Sequence, residues 1–120
     1  SGTILATRLR DVDAIPAPDA GALSARFPAA RMGGSVTGMD IDVHARRAIV
    51  LTYRDIWLFA RAPTETWSEA FGRKPVRFPL PAMAAAEAIG FDRNGTMIRV
   101  SGEGRPAPWL SFRFESQAND

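Results

Sequence analysis

The feature that most constrains this chain is a strand plan laid down twice. Val36-Thr37-Gly38-Met39-Asp40-Ile41-Asp42-Val43 alternates with period two, and His44-Ala45-Arg46 breaks the pattern. Arg47 to Tyr53 follows as a β-branched and aromatic run, nearly continuous in apolar residues, which predicts a strand buried on both faces. Arg54-Asp55 is a short turn, and Ile56-Trp57-Leu58-Phe59 is the next strand. The plan returns from Glu87 to Phe114: Ile89-Gly90-Phe91, the bend Asp92-Arg93-Asn94-Gly95, Thr96 to Ser101, a Gly/Pro loop over 102–108, and the alternating run Trp109 to Phe114. Asp42 matches Asp92 fifty positions on, and Trp57 matches Trp109 at fifty-two, each tryptophan followed by leucine.

A strand-only repeat of about fifty residues predicts the blades of an antiparallel β-propeller, about four strands each. The expected fold is therefore all-β, a meander of about two blades, with residues 36–80 as blade one and 81–114 as an incomplete blade two. Thr3 to Val12 alternates as well and is expected as the outer strand of a preceding blade, followed by loop to residue 35. Residues 115–120 read as a frayed polar tail. One short helix interrupts the strands near 66–72: Thr66 with Glu69 forms a capping-box pattern, Trp67, Ala70 and Phe71 share a face, and Gly72 and Pro75 end it. Val76 to Leu80 alternates again, and Pro79 demotes it to an edge strand. Residues 82–88 have high helix propensity taken alone, but the hairpin that follows argues for a strand there.

Composition excludes several function classes. With no cysteine, the chain has no disulfide, thiolate metal site or thiol nucleophile. No apolar run reaches the roughly 18–20 residues of a membrane-spanning helix, so no membrane partner is expected. The net charge is only +2 and the arginines are scattered, Arg8, Arg10, Arg26, Arg46, Arg47 and Arg99 among them, rather than gathered into a stripe. Nucleic acid is accordingly not an expected partner. Periplasmic or secreted and cytoplasmic placement both stay open.

The run Val36 to Asp42 followed by Arg46-Arg47-Ala48-Ile49-Val50-Leu51-Thr52-Tyr53 resembles a repeat motif of bacterial β-propellers. Glu87-Ala88-Ile89-Gly90-Phe91-Asp92-Arg93-Asn94-Gly95 resembles the entry of the next blade, and Ser101-Gly102-Glu103-Gly104 a segment that follows it. The resemblance covers about residues 34–113. The chain departs from the motif at Gly38, where the motif has Asp, and at Val43-His44-Ala45, where it has Pro-Asp-Gly. The family is largely uncharacterised and is distantly similar to esterase-like phytase and strictosidine-synthase-type propellers. The resemblance implies that the first strand of each blade lines a central channel, which nominates Asp40 and Glu87 as metal ligands, with Ca²⁺ the fitting ion for hard carboxylate oxygens. The competing reading is that each carboxylate caps a turn or pairs with an arginine such as Arg47 or Arg99; two carboxylates are few for a cage of about 6–8 ligands.

No catalytic constellation emerges from the remaining residues. His44 is the single histidine and falls in a turn without a second metal ligand. There is no Gly-x-Ser-x-Gly elbow, and neither Gly33-Gly34 nor Gly102-Glu103-Gly104 has the spacing of a phosphate loop. Trp57, Trp67 and Trp109 are expected in the core between blades rather than on a sugar-binding surface. The leading expectation is a non-catalytic binding or scaffold piece of a propeller. The alternatives are part of a phytase-like or esterase-like metal-dependent hydrolase, and a self-associating β domain. Two blades cannot close a ring, so the expected partners are the rest of a longer propeller chain or identical copies meeting at open blade faces.

Overall fold

The computed structural model describes residues 2–3, 5–16, 35–81 and 85–114. Among the described residues it is mostly β, with two antiparallel sheets and one five-residue helix. The first sheet has the order β1(Val36–Ile41), β2(Arg47–Thr52), β3(Asp55–Ala60), β4(Val76–Pro79), and the second β5(Ala86–Phe91), β6(Met97–Gly102), β7(Trp109–Arg113). Within each sheet every sequential neighbour is a spatial neighbour. β4 is an edge strand, where the missing N–H of Pro79 is harmless. The helix-or-strand conflict over 82–88 resolves as strand from Ala86, because β6 supplies β5 with a hydrogen-bonding partner.

The pairing in the two sheets agrees residue by residue. Val36 opposes Thr52 and Gly38 to Ile41 oppose Leu51 to Ala48; fifty residues on, Ala86 opposes Gly102 and Ala88 to Phe91 oppose Ser101 to Ile98. Both first strands carry a bulge, at Thr37 and at Glu87. The turns agree too. Asp42 Oδ1 accepts the backbone N–H groups of Arg46 and Arg47, and Asp92 Oδ1 accepts those of Thr96 and Met97. The fourth turn residue is left-handed in both, Ala45 with φ 54° and Gly95 with φ 70°.

The third strands agree at a different offset. Val50 opposes Trp57, whereas Val100 opposes Leu110; Leu51 opposes Ile56, whereas Ser101 opposes Trp109. β7 thus corresponds to β3 shifted by fifty-three positions rather than fifty-two. A one-residue difference turns a strand's side chains to the other face. The expectation that Trp57 and Trp109 are equivalent core residues is therefore corrected: Trp57 is 8% exposed and Trp109 is 68% exposed.

The apolar run of β2 is buried on both sides, as its composition demands. One face, Ile49 and Leu51 with Ile56, packs on Ala86, Ile98 and Val100 of the second sheet. The other, Ala48 and Val50 with Trp57 and Phe59, packs on Phe71 of α1(Trp67–Phe71) and on Val12 and Ile15. Each such side chain contributes about 1.5–3 kcal/mol on burial, so both layers are needed to hold β2 dry. The helix starts at the capping box of Thr66 and Glu69 and ends at Gly72, and Phe71 meets Phe59 edge-on at 5.0 Å.

The expected strand Thr3–Val12 is absent among the described residues of that segment. Its alternation has no strand to pair with. The segment lies instead against α1, where Arg10 Nη1 donates to the Ser68 carbonyl at 2.9 Å and Val12 and Ile15 reach the second core cluster. The glycine-rich stretch at 33–34 and the tail 115–120 lie outside the described residues.

Candidate functional site

Two of the charged residues singled out from sequence, Asp40 and Arg47, lie at the seam between the two sheets. Asp40 sits on β1 with both oxygens in use: Oδ2 accepts the Phe91 N–H at 2.8 Å, and Oδ1 accepts the Ile41 N–H at 2.9 Å. One carboxylate thereby satisfies a backbone donor of the neighbouring sheet, a contact stronger than a neutral hydrogen bond. Thr37, in the β1 bulge, donates from Oγ1 to the Ala86 carbonyl at 2.7 Å. The seam is close enough that a Cβ on Gly38 would lie 3.3 Å from Ile89 Cγ2.

Arg47 is the third connection and the one with most partners. Its Nε donates to Asp42 Oδ2 at 3.0 Å and its Nη2 donates to the Gly95 carbonyl, joining the two turns. Its guanidinium lies 4.5 Å from the centroid of the Phe114 ring and 5.2 Å from that of Phe91, and these rings stack at 6.1 Å. Burial pushes the Asp42 carboxyl up. The N–H groups of Arg46 and Arg47 and the Arg47 guanidinium outweigh it and hold the carboxyl below its ordinary value. Asp92 is also held low, by the Met97 N–H first, against some desolvation, with Thr96 assisting.

Glu87 stands apart from Asp40. It is exposed at the start of β5, where its Oε1 accepts the Tyr53 hydroxyl at 3.4 Å. Desolvation and then the Glu87 charge raise the Tyr53 hydroxyl's pKa. Asp40 reaches β5 at Gly90 and Phe91, three to four residues beyond Glu87, or roughly 10 Å along a strand. The structure does not bring the two nominated ligands together, and among the described residues no group of three or more His, Cys, Asp or Glu is placed to hold a metal ion. Asp40 neither caps a turn nor pairs with an arginine: its partners are the backbone N–H groups of Ile41 and Phe91. His44 is an exposed turn residue.

Sequence reasoning missed Thr37, and it named Arg47 only as a generic ion-pair partner. The signal for Arg47 lay in the spacing Asp42–Arg47, five residues across a turn, together with aromatic residues at Phe91 and Phe114. It also missed that Trp109 faces solvent. That face of the second sheet carries Ala88 and Gly90 on β5, Arg99 and Ser101 on β6, and Trp109 on β7, around a shallow depression of about 270 Å³.

On the first sheet, Val36, Met39 and Ile41 form a second exposed feature. The bulge puts Val36 on the same face as Met39 and Ile41, opposite Thr52, Val50 and Ala48. Val36 is 58%, Met39 48% and Ile41 38% exposed, an apolar strip on an edge strand. Between this strip and the segment Leu9–Pro16 runs a groove of about 500 Å³. No known family, curated protein or solved structure matches this chain.

Proposed function

We propose that this chain is a non-catalytic scaffold module, two successive units of a propeller-like stack, whose exposed strip at Val36, Met39 and Ile41 receives a further antiparallel sheet. One observation carries the reading. Fifty residues on, the positions of the strip are Ala86, Ile89 and Phe91, and these are the residues with which β5 packs against the first sheet. Chemistry of the same kind stands at the same register, covered in one sheet and bare in the other. An exposed apolar strip beside an open groove marks an interaction surface. The resemblance to bacterial propeller repeats is consistent with the same arrangement. The polar groups at the seam favour a scaffold over an enzyme: Asp40, Thr37, Asp42 and Arg47 are each engaged in holding strands and turns together.

The test is light scattering together with binding of a hydrophobic dye, on the wild type and on the double variant Met39→Glu, Ile41→Glu. Both side chains are exposed, so the variant is expected to fold. A mass above 13.0 kDa that rises with concentration and is lost in the variant identifies identical copies as the source of the further sheet. A monomer whose dye binding disappears in the variant identifies another segment of a longer polypeptide as the source. A monomer with no dye binding at the strip would sink the proposal.

A further inference from the structure

We infer that the outward face of the second sheet is a binding surface for an acidic sugar ring. The inference does not depend on the strip of the first sheet, which lies on another surface.

The register places three rows across this face: Ala88, Ser101 and Trp109; Gly90, Arg99 and Ser111; and Met97 with Arg113. In the first sheet the corresponding rows are Gly38, Leu51 and Ile56; Asp40, Ile49 and Leu58; and Arg47 with Ala60. Leu51, Ile56, Ile49 and Leu58 lie under the second sheet, and Ala60 is exposed. Here Leu51 is replaced by Ser101, Ile49 by Arg99, Leu58 by Ser111 and Ala60 by Arg113. A sheet laid on this face as the second lies on the first would strip water from the Arg99 guanidinium, which is costly for a charge left without a partner. The connections are missing as well, since Gly90, Met97 and Glu87 stand where Asp40, Arg47 and Thr37 grip the neighbouring sheet. The face is built to stay in water.

On that wet face Trp109 presents its ring beside a depression floored by Ala88 and Gly90. Arg99 lies diagonally across from Trp109 on the neighbouring strand, within the roughly 7–8 Å that long and aromatic side chains span. Neither Arg99 nor Arg113 takes part in an ion pair among the described residues. No Asp or Glu stands in the three rows; the Asp40 carboxylate of the first sheet, whose Oδ2 lies 3.7 Å from the Cβ position of Gly90, is engaged by the Ile41 and Phe91 N–H groups. Asp92, at the end of β5, feels the Arg99 charge, but its oxygens are taken by the Thr96 and Met97 N–H groups and the Thr96 hydroxyl.

The three chemistries together select the ligand. A tryptophan ring offers an apolar plane to the C–H face of a sugar. Ser101 and Ser111 donate and accept hydrogen bonds with its hydroxyls. Arg99 meets a carboxylate with two parallel N–H donors. The depression is smaller than the roughly 300–1,000 Å³ of enclosed ligand sites, which suits a single ring on an open surface. Single-stranded nucleic acid fits less well, because it stacks successive bases on several aromatic platforms and this face has one.

The experiment is calorimetric titration of the whole chain with trigalacturonic acid, with maltotriose as the neutral counterpart and oligodeoxythymidylate as the nucleic-acid control. Trigalacturonic acid is expected to bind, about ten-fold more tightly than maltotriose, with affinity falling as salt screens the Arg99 charge. Trp109→Ala and Arg99→Met are each expected to weaken it about ten-fold, and Trp109→Phe, which keeps an aromatic plane, to retain most of it. Circular dichroism checks that these exposed substitutions leave the sheets intact. No binding of trigalacturonic acid, equal binding by Trp109→Ala or Arg99→Met, equal binding of maltotriose, or binding of oligodeoxythymidylate alone overturns the inference.

Discussion

In the first sheet Ile49, Leu51 and Ile56 lie under the second sheet; at the corresponding places in the second, Arg99 and Trp109 stand in solvent and Ser101 is half-buried. The strands that carry them pair in the same register and begin with the same bulge and the same aspartate-held turn. Register and burial are thus set by different residues. Register follows from the turn and the bulge, which act over a few residues. Burial follows from which face has an apolar set large enough to dry another surface. A pair of sheets alike in backbone can in this way carry a core on one side and a wet surface on the other.

The sharpest way to break the comparison is to remove each tryptophan in turn. Trp57→Ala is expected to cost about 3–5 kcal/mol, because it empties a buried site beside Phe59 and Val50. Trp109→Ala should stay within about 0.5 kcal/mol, as exposed substitutions do. Urea denaturation of the two variants decides it, and equal losses would mean the strand offset is fifty-two after all. Trp57→Phe is a milder probe, since among the described residues the buried Trp57 Nε1 has no hydrogen-bond partner to lose.

The aspartates come next. Asp42→Ala removes a buried acceptor of three bonds, two from backbone and one from Arg47, and is expected to cost about 2–3 kcal/mol. Asp92→Ala is expected to cost less, since its turn has no arginine clasp. The pH dependence has a defined sign. The folded carboxyl of Asp42 is below its unfolded value of about 3.9, so its contribution is complete above that pH and is lost as pH falls through the folded value. Stability measured from pH 6 down to pH 2 should fall less steeply in Asp42→Asn than in the wild type.

Arg47→Met copies Met97 of the second sheet into the first. It removes the bond to the Gly95 carbonyl and the contacts with Phe91 and Phe114, an expected loss of about 1–2 kcal/mol in chemical denaturation. The smallest effect is in the turns. Ala45 holds a left-handed φ that its counterpart Gly95 holds without a Cβ. Ala45→Gly should raise stability by about 0.5 kcal/mol, the relief of strain less the entropy glycine loses on folding. Gly95→Ala should destabilise, because the new Cβ would lie 2.8 Å from Arg47 Nη2 as well as in a strained backbone. A rise in melting temperature for the first and a fall for the second sharpens the equivalence of the turns; the same sign for both breaks it.

Much of the fold is legible in the residues. The double strand plan, the fifty-residue spacing of Asp42 and Asp92, the helix behind Thr66 and the edge position of Pro79 are all local signals, and local hydrogen bonds realise them. Three readings needed information from outside the segment. Thr3–Val12 alternates like a strand but lies against α1 without pairing, and no local rule distinguishes the two. The tryptophan equivalence failed because the connection from β6 to β7 has six residues where that from β2 to β3 has two, and β7 joins its partner one residue away from the tryptophan match. Asp40 and Glu87 looked like a ligand pair because each sits on the first strand of its sheet. Asp40 is instead held by the Phe91 N–H of the neighbouring sheet.

By itself the sequence determined the strands, the turns and the residues that face alike within each hairpin, because side-chain alternation and turn chemistry act over two to six residues. The tertiary structure decided which face of each sheet is covered. It made Arg47 a clasp between two turns, buried Trp57 and left Trp109 in water. Those outcomes depend on how one sheet lies on another, and that arrangement minimises exposed apolar area over the whole molecule rather than over any one segment.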